Sequence, residues 1–436
     1  MRIVRVRFAP SARRYGARVR LRVRILVSVT VLAVGAACVA SASGSSSLRY
    51  GIQDDAWLEF GAGTIESRVA TLERLGVDIV RVTLHWNAIE PSRGQFDWER
   101  SDALLSAIRS GGLTPLVTLW GTPSWANGGR SAAWAPTSPK TFAAFAGAAA
   151  ARYPWIRHWL IWNEPNQSRW LRPTSASIYV TRLLNPAYAA IRSAIPAAKI
   201  GGGSTAPRAG RGGVSPIEFL RTMARAGARL DAFAHHPYPL STVETPWSGG
   251  CASCQTLSIS KLPALLSETA KAFGSDVRIW LTETGYQTNP PDRTLGVTPL
   301  RAATYAASTL ERATALPRID VLVHYLYRDE PDVARFQSGL VSIRDAVKPA
   351  RRAISIPLAQ VSREGLTTRV WAQVRTRSGV SSVVLQRRDD AGWRAVTRAR
   401  TSTRGWVKLT LRAVIGTRLR IFVPASGETS NVLDVR

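Results

Sequence analysis

Eight short apolar segments alternate with segments of helical spacing along most of this 436-residue chain. We expect strands at residues 49–54, 77–84, 113–120, 156–161, 199–203, 230–235, 277–281 and 319–326. Strands that alternate with helices predict a parallel sheet joined by right-handed crossovers. Eight such units over roughly 300 residues favour an α/β fold of the closed (β/α)8 barrel type. No glycine-rich phosphate motif follows the first strand, which argues against a nucleotide-binding open sheet.

After about residue 356 the pattern changes to short alternating segments separated by turn residues. Strands are expected at 367–374, 382–386, 393–398, 405–411, 418–423 and 431–435. This spacing predicts a small all-β, immunoglobulin-like sandwich. The predicted organisation is therefore a signal peptide at 1–42, a barrel domain at 48–355 and a β-sandwich at 358–436.

The first 42 residues contain nine arginines and no acid, followed by an apolar run and the small residues Ala40-Ser41-Ala42. This order is typical of a secretory signal peptide and predicts a secreted or cell-surface, extracellular protein. An uncleaved membrane anchor is the alternative, although the run of about 16 residues is shorter than the roughly 20 that a spanning helix needs. Cys38 suggests a lipid anchor, but Gly35 stands where a large aliphatic residue is expected.

Cys251 and Cys254 lie in a loop rich in Ser and Gly. In an exported protein this pair favours a local disulfide. A redox pair or a metal site are the alternatives, and the metal site lacks further ligands nearby.

The formal charge of +29 is unevenly distributed, because residues 358–436 alone carry a net +10. A basic surface favours binding to polyanions, and here we expect an anionic cell-wall polymer. No nucleic-acid-binding motif accompanies the charge, so nucleic acid is not an expected partner.

Two glutamates follow apolar strands, where a barrel enzyme places its active site. Glu164 ends the sequence Trp162-Asn163-Glu164, and Glu283 follows Ile279 to Thr282 at the seventh strand. Paired carboxylates are the apparatus of glycoside hydrolysis, in which one is an acid and the other a nucleophile or base. For either glutamate alone, a salt bridge at the barrel rim is the structural alternative.

Polar residues at other strand ends are expected to surround this pair. Arg81 and a tyrosine would hold Glu283 ionised, and Asn163 would bind a sugar hydroxyl. His235 and His236 could form a metal pair, but adjacent strand residues point to opposite faces. We therefore expect His236 and Tyr238 to share the functional face, with no metal and no cofactor.

Aromatic residues near the same strand ends are candidates for stacking on sugar rings. Trp120 and Trp162 end the third and fourth strands, and Tyr286 follows the seventh. Packing within the loops is the alternative for each of them.

The motif Trp162-Asn163-Glu164-Pro165-Asn166 resembles the acid/base signature of retaining glycoside hydrolases of clan A, and Thr282-Glu283-Thr284-Gly285 resembles the nucleophile segment. Arg81 and His236-Pro237-Tyr238 are similar to the second- and sixth-strand segments of these enzymes. Families 39 and 5 are the most similar, and the resemblance covers about residues 50–345. It implies Glu164 as acid/base and Glu283 as nucleophile. Many relatives end the eighth strand with Trp, whereas this chain has His324, Tyr325 and Tyr327.

The sequence thus predicts a secreted retaining β-glycosidase with a carbohydrate substrate and, if the leader is uncleaved, a membrane attachment. Two alternatives remain open. One is a catalytically silent carbohydrate- or cell-wall-binding protein on the same barrel, and the other is an adhesion protein that acts through its basic sandwich.

Overall fold

The computed structural model describes residues 48–251 and 255–436. Its first eight strands are β1 (Arg49–Gln53), β2 (Ile79–His85), β3 (Thr114–Trp120), β4 (His158–Ile161), β5 (Lys199–Thr205), β6 (Ala232–His235), β7 (Arg278–Thr284) and β8 (Ile319–Tyr325). They pair in parallel in sequence order, and β8 pairs back onto β1, so the sheet closes. The predicted (β/α)8 barrel is confirmed, and every strand lies within a few residues of its expected position.

The helices between and after these strands are α1 (Asp55–Phe60), α2 (Ile65–Arg74), α3 (Trp86–Ile89), α4 (Glu99–Ser110), α5 (Ser124–Asn127), α6 (Pro139–Arg152), α7 (Ala176–Ile178), α8 (Asn185–Ala194), α9 (Pro216–Arg225), α10 (Leu262–Phe273), α11 (Pro299–Ala315) and α12 (Ala350–Ser355). A 3-10 turn (Ile259–Lys261) precedes α10. The short α1, α3 and α5 were not expected from the sequence. Four to six residues are too few to show a helical period.

The helix expected over residues 178–195 consists of three segments. After α7, the residues Tyr179–Leu184 form a π-helical turn, and α8 then begins at Asn185. Pro186 lies at the start of α8, where its missing N–H costs no hydrogen bond. The break predicted near Pro186 therefore occurs just before it.

The barrel interior is filled by alternate strand residues. Leu116, Leu160 and Trp280 pack there in one buried cluster. A Cβ on Gly201 would lie 2.7 Å from the Trp280 ring and 2.9 Å from Leu160. The small residues of β5 therefore make room for the large tryptophan of β7. The other faces of the strands pack against the helices in a larger core.

The C-terminal strands are β9 (Leu358–Glu364), β10 (Thr367–Gln373), β11 (Ser382–Asp389), β12 (Gly392–Arg400), β13 (Trp406–Arg412), β14 (Arg418–Val423), β15 (Glu428–Thr429) and β16 (Leu433–Asp434). They form two antiparallel sheets, in the orders β13-β10-β9 and β12-β11-β14-β15, with β16 also on β14. The predicted all-β sandwich is confirmed. The sequence did not predict β9, because only Leu358 and Ala359 of its residues are buried.

The two sheets share a core of their own, which includes Val370, Leu385 and Ile421. Trp371 and Ala359, on neighbouring strands, instead pack into the core of the barrel. The described residues accordingly belong to one compact unit. The domain limits at 355 and 358 stay predictions, although the last barrel helix and the first sheet strand do fall on either side of them.

Two further predictions reach beyond the described residues. The leader at 1–42 lies outside them. Cys251 is in a disulfide, but Cys254 lies outside the described residues, so their pairing stays a prediction. Within residues 48–251 and 255–436, no helix has both the length and the apolar character needed to cross a membrane.

Candidate active site

Glu164 reaches the mouth of the barrel through a sharp backbone turn after β4. Trp162 has φ +70° and Glu164 has φ +38°, in the left-handed region that side-chain-bearing residues seldom adopt. The amide of Trp162 donates to the Leu119 carbonyl (2.9 Å), and that of Glu164 donates to the Ser204 carbonyl (3.1 Å). Neighbouring strands thus hold a conformation that costs of order 1–3 kcal/mol for each such residue, as strained backbone at functional sites commonly does.

Glu283 projects from the end of β7, and both of its carboxylate oxygens accept hydrogen bonds. Arg81 Nη1 donates to Oε1 at 2.6 Å, and the Tyr238 hydroxyl donates to Oε2 at 3.0 Å. Its side chain is only 11% exposed. The carboxylate is therefore held at one oxygen by a charged group and at the other by a hydroxyl.

Arg81 is buried in β2 and uses its whole guanidinium as a support. Besides Glu283 it donates to Gln53 Oε1 (2.7 Å), the Thr282 carbonyl (3.0 Å), Thr118 Oγ1 (3.0 Å) and Asn163 Oδ1 (2.9 Å). Because Oδ1 of Asn163 is occupied, its amide Nδ2 is the group left to donate to a ligand.

His236 lies between the two glutamates. Its Nδ1 is 3.0 Å from Glu164 Oε1 and 3.6 Å from Glu283 Oε2. Its Nε2 lies 3.4 Å from Arg81 Nη1. Carboxylate oxygens accept hydrogen bonds, so Nδ1 carries a proton and donates it towards the two glutamates.

The surroundings of Glu283 favour its ionised form. Burial alone would raise the pKa of this carboxyl. The electrostatic attraction of His236 and Arg81, with the hydrogen bonds from Arg81 and Tyr238, outweighs burial and holds the pKa below its usual value. Burial and the adjacent Glu283 charge raise the pKa of the Tyr238 hydroxyl well above 10, so Tyr238 stays a donor.

Glu164 and Glu283 line a cleft with a volume of about 580 Å³. Of the predicted site residues, Trp120, Asn163, Glu164, Tyr238 and Glu283 line it. Arg81 and His236 lie directly beneath them as buried partners. The structure therefore brings seven of the nine predicted site residues together.

Trp162 and Tyr286 were expected to contact a ligand, and the structure corrects both. The Trp162 ring is fully buried, packs on Phe142 and donates from Nε1 to the Trp170 carbonyl (2.8 Å). Tyr286 is buried outside the cleft against Tyr305, with ring centroids 4.7 Å apart. Both follow a strand end in the sequence, but each side chain turns away from the barrel axis.

Asp55, His85 and Phe336 are among the residues of the cleft that were not assigned to the site from the sequence. Asp55, at the start of α1, accepts hydrogen bonds from Gln53 and from Thr83. His85, which was noted only as a strand end, packs edge-on against Trp120. Phe336 lies against Tyr238 and Tyr325. It supplies an aromatic surface beside β8, where the chain lacks the expected Trp, and its position in a loop gave no sequence signal.

His235 and His236 separate as the strand alternation predicts. His235 is buried away from the cleft, with Nδ1 2.8 Å from Thr205 Oγ1, and burial lowers its pKa to about 3. The donor atoms of Glu164, His236 and Glu283 do lie within 4.8 Å of one another. A cation there would compete with Arg81 for Glu283 and with the Nδ1 proton of His236. The arrangement is therefore better suited to proton transfer than to metal binding.

Comparisons with known proteins agree with this architecture. The chain has a TM-score of 0.60 and 18% identity to a family 39 glycoside hydrolase from Bacteroides cellulosilyticus WH2, covering 84% of this chain and 81% of that one. A monomeric β-xylosidase from Caulobacter crescentus CB15 has a TM-score of 0.55 and 17% identity, covering 84% of this chain and 94% of that one. GH5_18 from Streptomyces cattleya, in complex with GlcNAc, has a TM-score of 0.54 and 19% identity, covering 71% of this chain and 79% of that one.

At these identities the likeness shows a shared fold. The resemblance to families 39 and 5 inferred from the motifs is confirmed at that level. No protein-family profile matches the sequence, and no curated protein matches it either.

Proposed function

We propose that this chain is a secreted retaining β-glycosidase that hydrolyses O-glycosidic bonds in an oligosaccharide or polysaccharide. The observation that carries the proposal is the pair Glu164 and Glu283, whose nearest carboxylate oxygens lie within 4.8 Å across the cleft. Retaining enzymes keep their carboxyl groups about 5–5.5 Å apart, whereas inverting enzymes need about 6.5–9.5 Å to admit a water. The Arg-rich leader supports secretion.

In the first step Glu283 attacks the anomeric carbon while Glu164 gives its proton to the leaving oxygen. The glycosidic bond breaks, a glycosyl ester forms on Glu283, and the aglycone departs as a neutral alcohol. Arg81 and Tyr238 support this role, because they hold Glu283 ionised and aimed into the cleft. The Nδ2 group of Asn163 is placed to donate to a sugar hydroxyl beside the reacting carbon.

In the second step water attacks the same carbon and Glu164, now a carboxylate, accepts its proton. Glu283 is released and the configuration is retained overall. His236 donates towards Glu164 from Nδ1 and stabilises the carboxylate form that this step requires. The two glutamates thus alternate in charge through one catalytic cycle.

The sugar is best found by a screen of chromogenic aryl β-glycosides. A β-xylosidase and a glucosidase are among the proteins of similar fold, so xylosides and glucosides are the first candidates. Mannosides and uronides complete the set.

The decisive variant is Glu283→Gln. It should lower kcat on the best aryl glycoside by more than about 10³-fold, because the amide cannot form the ester. The fold should survive, since the Gln oxygen can still accept from Arg81 and the Gln amide can donate to the Tyr238 hydroxyl. Circular dichroism and the melting temperature check the fold, and turnover at the wild-type rate would overturn the assignment.

Glu164→Ala tests the other role. It should lose most activity, by roughly 10²- to 10⁴-fold on substrates that need acid assistance. Azide should restore part of it, because a small anion can attack the glycosyl ester without a base. A glycosyl azide of retained configuration is the product that identifies this rescue.

The alternative is a non-catalytic carbohydrate-binding protein on the same barrel. It predicts no turnover in the screen but measurable binding of a glycan to wild type and Glu283→Gln alike. The two side-by-side carboxylates argue against it, since a binding site gains nothing from two acidic groups within 4.8 Å.

We also propose that the sandwich binds an anionic cell-wall polymer. Two guanidinium groups lie over the ring of Trp393 on β12, that of Arg420 at 4.3 Å and that of Arg388 at 5.8 Å from the ring centroid. An aromatic ring next to two guanidinium groups suits a negatively charged glycan.

Co-sedimentation with polygalacturonate, compared with a neutral glucan, tests this second role. The variant Arg388→Gln, with Trp393→Ala, should lose salt-sensitive binding and keep aryl glycoside turnover. Equal binding by variant and wild type would contradict it.

A further inference from the structure

The two rims of the cleft differ in their charge balance. On the rim beside β8, Arg335 is compensated by Glu330 at 3.6 Å and Asp332 at 3.9 Å. The rim that follows β4 and β5 presents Arg169 and Arg208, both of which line the cleft. Within the described part of the chain neither of these two forms an ion pair, so this rim carries two uncompensated positive charges.

Arg169 follows Glu164 by five residues in the loop after β4. Its guanidinium lies over the ring of Trp170, 5.5 Å from the centroid. Trp170 also lines the cleft and packs edge-on against Trp120 at 5.5 Å. The charge is therefore presented next to a row of aromatic surface that a sugar ring could cover.

Arg208 lies in the loop after β5, and the residues that follow Glu164 hold this loop in place. Gln167 accepts a hydrogen bond from the Gly210 amide (2.9 Å) and donates to the Arg208 carbonyl. Ser168 donates to the Arg211 carbonyl at 2.8 Å. The backbone that carries Arg208 is thus fixed relative to the acid, although its side chain is exposed.

The position of the acid decides which half of the substrate meets this rim. A general acid must contact the leaving oxygen, so the departing half of the substrate lies on the side of Glu164. Arg169 and Arg208 lie on the two loops that the residues following Glu164 join by hydrogen bonds. They therefore face the leaving group and not the sugar that becomes attached to Glu283.

We infer that this rim binds a carboxylate on the leaving-group sugar, so that the substrate is a glycan with a uronic acid residue at that position. The inference rests on the proposed function and specifies its substrate class. Guanidinium groups match a carboxylate in shape and charge, and they stay charged at any working pH.

The test compares two disaccharides that differ only in charge. Each has the glycosyl unit that wild type releases best from aryl glycosides, linked to glucuronic acid or to its methyl ester. Wild type should show a KM roughly three- to tenfold lower for the acid, the range expected for exposed ion pairs. Arg169→Gln with Arg208→Gln should raise the KM of the acid to that of the ester and leave the ester's KM and both kcat values unchanged.

Arg211→Gln is the matched control. Arg211 is an exposed arginine of the same loop that does not line the cleft, so its loss should keep the preference for the acid. Equal KM values for acid and ester in wild type would overturn the inference, as would a double variant that keeps the preference. In both cases turnover of neutral aryl glycosides would leave the proposed function standing. No turnover of any glycoside would overturn both.

Discussion

Glu283 is a buried carboxyl whose neighbours together affect its pKa more than burial does. Arg81 contacts it at 2.6 Å and Tyr238 at 3.0 Å, and together with His236 they keep its pKa low. In the proposed mechanism Glu283 must be ionised to attack, so these contacts should extend activity towards acidic pH. Arg81 was predicted as a partner, although it lies inside β2 (Ile79–His85) and not at the end of the strand. The division of its donors among five partners could not be predicted, because it depends on side chains from several strands.

Tyr238→Phe removes one of these contacts and should change the pH profile. Without the hydroxyl the carboxylate loses a stabilising donor, so the pKa of Glu283 rises. The acidic limb of kcat/KM, which falls as pH drops through that pKa, should move to higher pH. At neutral pH kcat/KM should fall roughly tenfold, the effect of one hydrogen bond to a charged group.

Tyr286→Phe serves as the control for this variant. Tyr286 is also buried, but its hydroxyl has no hydrogen-bond partner among the described residues and lies outside the cleft. Its removal should leave the pH profile unchanged. An unchanged acidic limb in Tyr238→Phe would show that Tyr238 does not stabilise the carboxylate.

Among the elements, the loop after β4 does more than present Glu164. The residues that follow Glu164 bind the loop after β5, and Asn166 makes the most hydrogen bonds among them. The Asn166 side chain accepts from the Ala206 amide (2.8 Å) and donates to the carbonyls of Ala206 (3.3 Å) and Val214 (3.1 Å). The motif that contains Asn166 could be recognised in the sequence, whereas its role as a link between two loops could not.

Asn166→Ala should leave these buried groups without partners. We expect the free energy of unfolding to fall by about 2–4 kcal/mol. At a temperature where the variant is still folded, kcat/KM should also fall, because the acid loses its support. Chemical denaturation and aryl glycoside kinetics measure the two effects.

Asn185→Ala provides the comparison, since Asn185 also bonds backbone groups across a loop, at Gly227 and Arg229, but outside the cleft. It should lose stability and keep kcat/KM. Equal kinetic losses in both asparagine variants would contradict a specific link between Asn166 and the acid.

At the level of the whole molecule, the barrel and the sandwich are joined by buried contacts. Arg375 pairs with Asp78 at 2.7 Å, donates to the Gly76 carbonyl at 2.7 Å and stacks on Tyr50 at 4.9 Å. Trp371 packs into the barrel core. The sandwich is therefore part of what stabilises the barrel.

Removal of residues 358–436 should accordingly destabilise the barrel. Loss of the Trp371 contacts alone corresponds to about 3–5 kcal/mol, or on the order of 10 °C in melting temperature. Differential scanning calorimetry of the truncated and complete chains measures this. A truncated chain with the melting temperature of the complete one would show that the barrel is independent of the sandwich.

The sequence by itself determined the barrel and the identity of its two glutamates. Periods of two and 3.6 residues are local properties, and they are strong enough to place all eight strands. The position of a carboxylate after an apolar strand is likewise local, so Glu164 and Glu283 could be recognised without coordinates.

Only the tertiary structure decided which neighbours share the site. Trp162 and Glu164 are two residues apart, yet one side chain enters the core and the other the cleft, because the backbone turns through left-handed conformations between them. Phe336, Arg169 and Arg208 reach the cleft from loops whose paths depend on long-range hydrogen bonds such as those of Gln167. The residues of the proposed reaction are therefore visible in short motifs, whereas the surface proposed to select the substrate depends on contacts between residues far apart in the chain.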